Sequence, residues 1–216
     1  MSQPTSQHPP EDTPDATAAQ VSRQPPTNPP RTAELASLKI RLRAALRQFP
    51  DFPSPGVLFE DIMPIFADPT LHEALIRSLE LHIIETYGQT PDVIVGLEAR
   101  GFLFGPSLAL RLGASFVPVR KKGKLPGPCV TQTYEKEYGQ DYFQMQADAL
   151  KPGQKVVVVD DIIATGGSAA AAGLLVQKLG ATLLGYVFIL ELDFLKGREK
   201  LPAPVFTLLH GQEGKV

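Results

Sequence analysis

The chain has 216 residues, a formal net charge of −2, and 43 % hydrophobic against 20 % charged residues. This is the make-up of one ordinary globular domain; it is too short for two large ones and carries no global basic field for nucleic acid. A single cysteine, Cys129, excludes an intrachain disulfide and suits a reducing compartment, and no apolar run approaches the roughly 20 residues that cross a bilayer as a helix.

Residues 1 to about 31 form a zone of their own, rich in Pro, Ser, Thr, Gln and Ala and lacking aromatics. Such a segment buries too little apolar surface to offset its ordering entropy, so a disordered tail is expected. It has no apolar h-region, and Glu11, Asp12 and Asp15 speak against a transit peptide, so a cytoplasmic protein is expected. The expected folded domain is 32–216. Leu35, Leu38, Ile40, Leu42, Ala45 and Leu46 recur at helical spacing, and Pro50 and Pro53 are expected to end that helix. A Pro- and Gly-punctuated stretch, 49–66, carries four phenylalanines, and 68–87 reads as a second amphipathic helix.

Strands are expected at 93–95, 116–119, 155–159, 183–190 and 205–209, and helices at about 102–112 and 168–179. The segment from Arg120 to about Tyr142 reads as one long basic, Gly- and Pro-rich loop. Strands that alternate with helices and read as apolar runs imply an α/β fold: a mostly parallel twisted sheet with helices on both faces. Ligands of such sheets bind beyond the carboxyl ends of the strands.

One such end holds the strongest local signal. After Val156-Val157-Val158-Val159 come Asp160 and Asp161, and then Ala164-Thr165-Gly166-Gly167-Ser168 turns into a helix. Glycines let a backbone approach an anion, and the amides and dipole of a helix start favour a phosphate. Two adjacent carboxylates would repel a bare phosphate, but they accept hydrogen bonds from a diol beside it. Diol next to phosphate describes ribose 5-phosphate. No Walker pattern and no G-x-G-x-x-G is present.

Around this turn, Arg100 follows a strand, and Arg120, Lys121, Lys122 and Lys124 form a compact basic run. Arg at a strand end is ordinarily a solvated charge or half of an ion pair. Beside a ribose phosphate the balance shifts toward a bidentate fork for a further anion. The stretch Tyr134-Glu135-Lys136-Glu137-Tyr138-Gly139 offers acid–base side chains, and composition alone does not choose between Glu135 and Glu137. His8, His72, His82 and His210 show no ligand spacing, and no metal ligand is expected from the protein.

The 156–168 run resembles the phosphoribosyl pyrophosphate (PRPP) motif of the type I phosphoribosyltransferases. Blocks at 49–65, 96–106, 118–127 and 134–139 occur with it in the family's order, and the resemblance spans about 35–209. It points to the adenine-using branch, its fungal members in particular. The resemblance implies transfer of ribose 5-phosphate from PRPP to adenine, giving AMP and pyrophosphate, with Mg²⁺ held mainly by PRPP and water and a homodimer as the assembly. It implies that Asp160 and Asp161 bind the ribose hydroxyls and that Ala164, Thr165, Gly166, Gly167 and Ser168 bind the 5-phosphate. Arg100, Lys121, Lys124 and Tyr138 would bind pyrophosphate, with a cis peptide at Glu98–Ala99. Glu137 would be the catalytic acid, aided by Arg100. The 49–66 stretch would be a base-binding hood, with Leu58, Phe59 and Glu60 on adenine and Leu192 on its second face. Many relatives carry Arg where this chain has Glu60. Transfer to another purine base, or PRPP sensing without catalysis, are the alternatives; no nucleic-acid or membrane partner is expected.

Overall fold

The structure is a computed structural model that describes residues 30–52, 55–136 and 139–210. Helix α1 (Arg31–Ala45) leads into a short antiparallel hairpin, β1 (Arg47–Pro50) with β2 (Leu58–Asp61). The expected helix therefore stops at Ala45, ahead of both prolines. Leu46 is already extended, and β1 finds backbone partners across the hairpin while Arg47 grips Asp61, with Nε 3.0 Å from Oδ2. Helices α2 (Met63–Ala67) and α3 (Pro69–Tyr87) follow. Asp68 caps α3 by accepting from the Thr70 and Leu71 amides, and Gly88, left-handed at φ 62°, closes it.

The main sheet has seven strands: β3 (Val93–Leu97), β4 (Ser115–Lys121), β5 (Cys129–Lys136), β6 (Gly139–Gln146), β7 (Lys155–Ile163), β8 (Thr182–Glu191) and β9 (Val205–His210). Their order is β5-β6-β4-β3-β7-β8-β9; β4, β3, β7, β8 and β9 run parallel, and β5 and β6 add an antiparallel edge. The mostly parallel sheet expected from the sequence is thus present. The long loop expected over 120–142 is not. Residues from Cys129 onward form a hairpin that joins β4 through Arg120↔Gln144 and Lys121↔Phe143. Alternation drives it: Phe143 and Met145 are buried between the less buried Tyr142, Gln144 and Gln146.

The valine run of β7 divides the core. Val157 and Val159 join the cluster built on α1, α3 and α4 (Gly101–Leu112), whereas Val156 and Val158 join the cluster under α5 (Gly167–Lys178). A strand with apolar side chains on both faces is buried on both, as parallel sheets require. β7 lies between β3 and β8, so its carboxyl end opens into the centre of the sheet's upper edge. Among the described residues, no helix is long and apolar enough to cross a membrane.

Candidate active site

Beyond that edge lies a cavity of about 440 Å³, lined by Glu98, Ala99, Arg100, 160–169 and Phe188. β7 continues past its valines to Ile163, so Asp160 and Asp161 leave the sheet still in strand register, with Asp160 opposite Phe188 on β8. Gly166 then adopts φ 80° and caps α5 without a side chain. The first amides of α5 have no partner within the helix, and its first turn has no acid, so this end is electropositive. A phosphate fits there.

The acids are not equivalent. Asp161 is buried and pairs with Arg100, whose Nε lies 2.6 Å from Oδ2. Asp160 is half-buried and accepts from the Asp161 amide at 3.0 Å. Burial, and then the charge of Asp161, push the Asp160 carboxyl well above its usual range, while Arg100 pulls the other way. A group whose folded pKa is raised costs the fold nothing below its unfolded pKa of ~3.9 and costs it in full above the raised value. Asp160→Asn should therefore raise the melting temperature at neutral pH by a few degrees, at about 2–4 °C per kcal/mol relieved. The gain should shrink as pH falls toward 4. Thermal melts of both proteins across that range test this; a constant difference, or none, contradicts it.

Glu98 also lines the cavity. The Glu98–Ala99 bond is cis, as the resemblance implied. The Glu98 carboxylate accepts from the Lys121 amide at 3.0 Å and from Arg120 at 3.2 and 3.3 Å. Burial alone would raise its pKa, but the amide and Arg120 outweigh it and hold Glu98 below its ordinary value. Arg120 also donates to the Lys124 carbonyl at 3.2 Å, and the Lys124 amide to the Lys121 carbonyl. The basic turn is thus moored to the wall of the cavity, with the Lys121 and Lys124 side chains outside its lining and exposed.

The expected base contacts are not in this lining either. Leu192 follows β8 and donates its amide to Ile163 at 3.0 Å. Phe59 stands edge-on to Phe52, with ring centroids 5.1 Å apart, and Leu58 pairs with Pro50. The Glu60 carboxylate, 5 % exposed, is taken by Arg43 at 3.5 Å and Gln48 at 3.3 Å. Next to it, Asp61 is buried; burial raises its pKa, but the Met63 amide and Arg47 hold it low, and Arg100 adds to the lowering. The hairpin end is therefore within electrostatic reach of the cavity.

The family model for the phosphoribosyl transferase domain matches residues 67–207. The adenine phosphoribosyltransferase of Yarrowia lipolytica is 63 % identical over 83 % of this chain and 99 % of its own. The chain belongs to the adenine phosphoribosyltransferases. A crystal structure of the Saccharomyces cerevisiae relative, complexed with adenine and an imino-altritol bisphosphate, has a TM-score of 0.79 and 62 % identity, covering 81 % of this chain and 99 % of that one. The relative from Trypanosoma brucei, solved with AMP, pyrophosphate and ribose-5-phosphate, still reaches a TM-score of 0.72 at 28 % identity, covering 80 % of this chain and 79 % of its own. The type I phosphoribosyltransferase fold expected from the sequence is the fold observed.

Within this family member, the structure gathers Arg100, Asp160, Asp161 and 164–168 around one cavity. Glu137 and Tyr138 lie outside the described residues, as do 1–29 of the expected tail. Sequence reasoning gave no side-chain role to Glu98 and none to Gly101. A Cβ on Gly101 would sit 2.9 Å from the Val159 carbonyl oxygen and 3.3 Å from Asp160 Oδ1, so only glycine lets α4 start against β7. The Gly following Glu98-Ala99-Arg100 was the available signal.

Proposed function

We propose that this chain transfers ribose 5-phosphate from PRPP to adenine, releasing AMP and pyrophosphate. The observation that carries the reading is the cavity itself: a paired-acid strand end, an electropositive helix start and Arg100 enclose one space. Asp160 and Asp161 accept from the ribose hydroxyls; 164–168 hold the 5-phosphate with amides and hydroxyls. Arg100, Lys121, Lys124 and Tyr138 hold the pyrophosphate. Charge leaves with that group as the ribose carbon becomes oxocarbenium-like, so fixed cations on one side and carboxylates on the other lower the barrier through position and electrostatics. Leu58, Phe59, Glu60 and Leu192 form the adenine slot. Because the Glu60 carboxylate is already engaged by Arg43 and Gln48, its part in the slot falls to the backbone.

Mg²⁺ suits this donor set. Among the described residues, the three-ligand cluster of metal-binding type is Glu191, Asp193 and His210, and Glu191 is spent on Arg198 and Thr207. The cavity offers two neighbouring carboxylates, which matches an ion that keeps water and substrate oxygens as most of its ligands. When bound, it would neutralise charge on the leaving pyrophosphate. Cytosolic purine salvage and a homodimer complete the reading, on the strength of the family resemblance. Initial rates of AMP formation with adenine, PRPP and Mg²⁺ test it, with hypoxanthine and guanine as competitors. Folded protein that makes no AMP overturns it, and preference for another base overturns the assignment of adenine.

A further inference from the structure

The phosphate turn is not free to choose its own shape. The chain leaves β8 at Glu191, passes through two short 3₁₀ turns, Asp193–Leu195 and Gly197–Lys200, and comes back over 164–166. There Gly197 meets the turn backbone to backbone. A Cβ on Gly197 would collide with the Ala164 carbonyl and lie 2.8 Å from the Gly166 amide nitrogen; a Cβ on Gly166 would collide with the Gly197 carbonyl. Both glycines are buried.

The returning segment is closed at its base. The Glu191 carboxylate, 2 % exposed, accepts from Arg198 Nε at 2.6 Å, from Arg198 Nη2, and from the Thr207 hydroxyl at 2.6 Å. Thr207 in turn accepts from Arg198 Nη2 at 2.8 Å, so the three side chains form a ring across β8, β9 and the 3₁₀ turn. Arg198 follows Gly197 directly, and Leu192 follows Glu191.

We propose that Gly197 and the Glu191–Arg198–Thr207 clasp are positioning residues that set the backbone of the 5-phosphate turn and lock it to Leu192 of the base slot. This rests on the functional reading above. None of the four residues lines the cavity; they hold the Ala164–Gly166 carbonyls and amides where the phosphate needs them. An ångström of displacement at a binding group is enough for about a 100-fold loss.

Gly197→Ala should raise both the dissociation constant for ribose 5-phosphate and KM for PRPP by about tenfold or more, with kcat at saturating PRPP within about threefold. A merely destabilised protein would instead lose active fraction, lowering kcat at unchanged KM. Should Gly197→Ala not fold, Arg198→Gln and Arg198→Lys carry the same test. Arg198→Gln should raise PRPP KM, and Arg198→Lys, which keeps charge but not the fork, should restore part of it. Folded variants that bind ribose 5-phosphate as tightly as the wild type overturn the proposal. A wild-type protein that does not bind ribose 5-phosphate overturns the functional reading instead.

Discussion

Arg100→Ala is expected to lower kcat/KM for PRPP by roughly 10²–10⁴, the loss of two charge-assisted hydrogen bonds at about 1.5–3 kcal/mol each. Two effects combine. The leaving pyrophosphate loses a forked cation, and the buried Asp161 loses the guanidinium now 2.6 Å away. The second effect gives the variant a signature. Arg100 lowers the pKa of Asp160 against burial and the neighbouring charge, so its removal pushes the Asp160 carboxyl further up. The carboxylate form needed by the ribose hydroxyls then persists only at higher pH, and the acid limb of the kcat/KM profile should move upward. Arg100→Lys should return part of the rate, because the charge survives while the fork does not. Initial rates at saturating adenine across a pH series supply both readouts. An Arg100→Ala rate within about threefold of wild type, or an acid limb that does not move, removes Arg100 from the proposed machinery.

Why this much was readable in advance follows from the range of each signal. The 160–168 turn is local: its strand, acids, glycines and helix start are consecutive, so chain order alone puts them at one edge. The valine run also carries its own fate, since apolar residues on both faces demand two covering layers, and the core divides between Val156/Val158 and Val157/Val159 as that implies. The β5–β6 hairpin was hidden because its partner, β4, lies earlier in the chain and its polar, Gly- and Pro-flanked sequence resembles a loop. The alternation of Phe143 and Met145 was the trace it left. Helix α1 ends ahead of its prolines because its end is decided by pairing of β1 with β2 rather than by Pro50. Gly197 was silent for a similar reason: nothing beside it in sequence shows that it rests on Ala164 and Gly166.

Glu137→Gln is expected to lower kcat by about 10²–10⁴, the usual range for loss of a general acid or base, while PRPP still binds. The residue is chosen by the family's motif. Its neighbours are positioned by the fold: strands β5 and β6 flank residues 137 and 138, with Lys136 opposite Gly139, and the hairpin joins β4 beside the basic turn moored to Glu98. As N9 of adenine bonds the ribose carbon and pyrophosphate leaves, the ring gains positive charge, which is relieved when the N7 proton of the reacting tautomer passes to a base. A carboxyl group can carry that proton; a carboxamide can offer N7 a hydrogen bond but cannot exchange a proton with it. Gln therefore separates proton transfer from simple contact. Glu135→Gln is the matched control, since composition alone does not distinguish the two acids; its kcat should stay within about threefold. Steady-state kcat of both variants, with PRPP binding measured by calorimetry, decides between them. A Glu137→Gln enzyme with unchanged kcat refutes the assignment, and a loss confined to Glu135→Gln transfers the role to that residue.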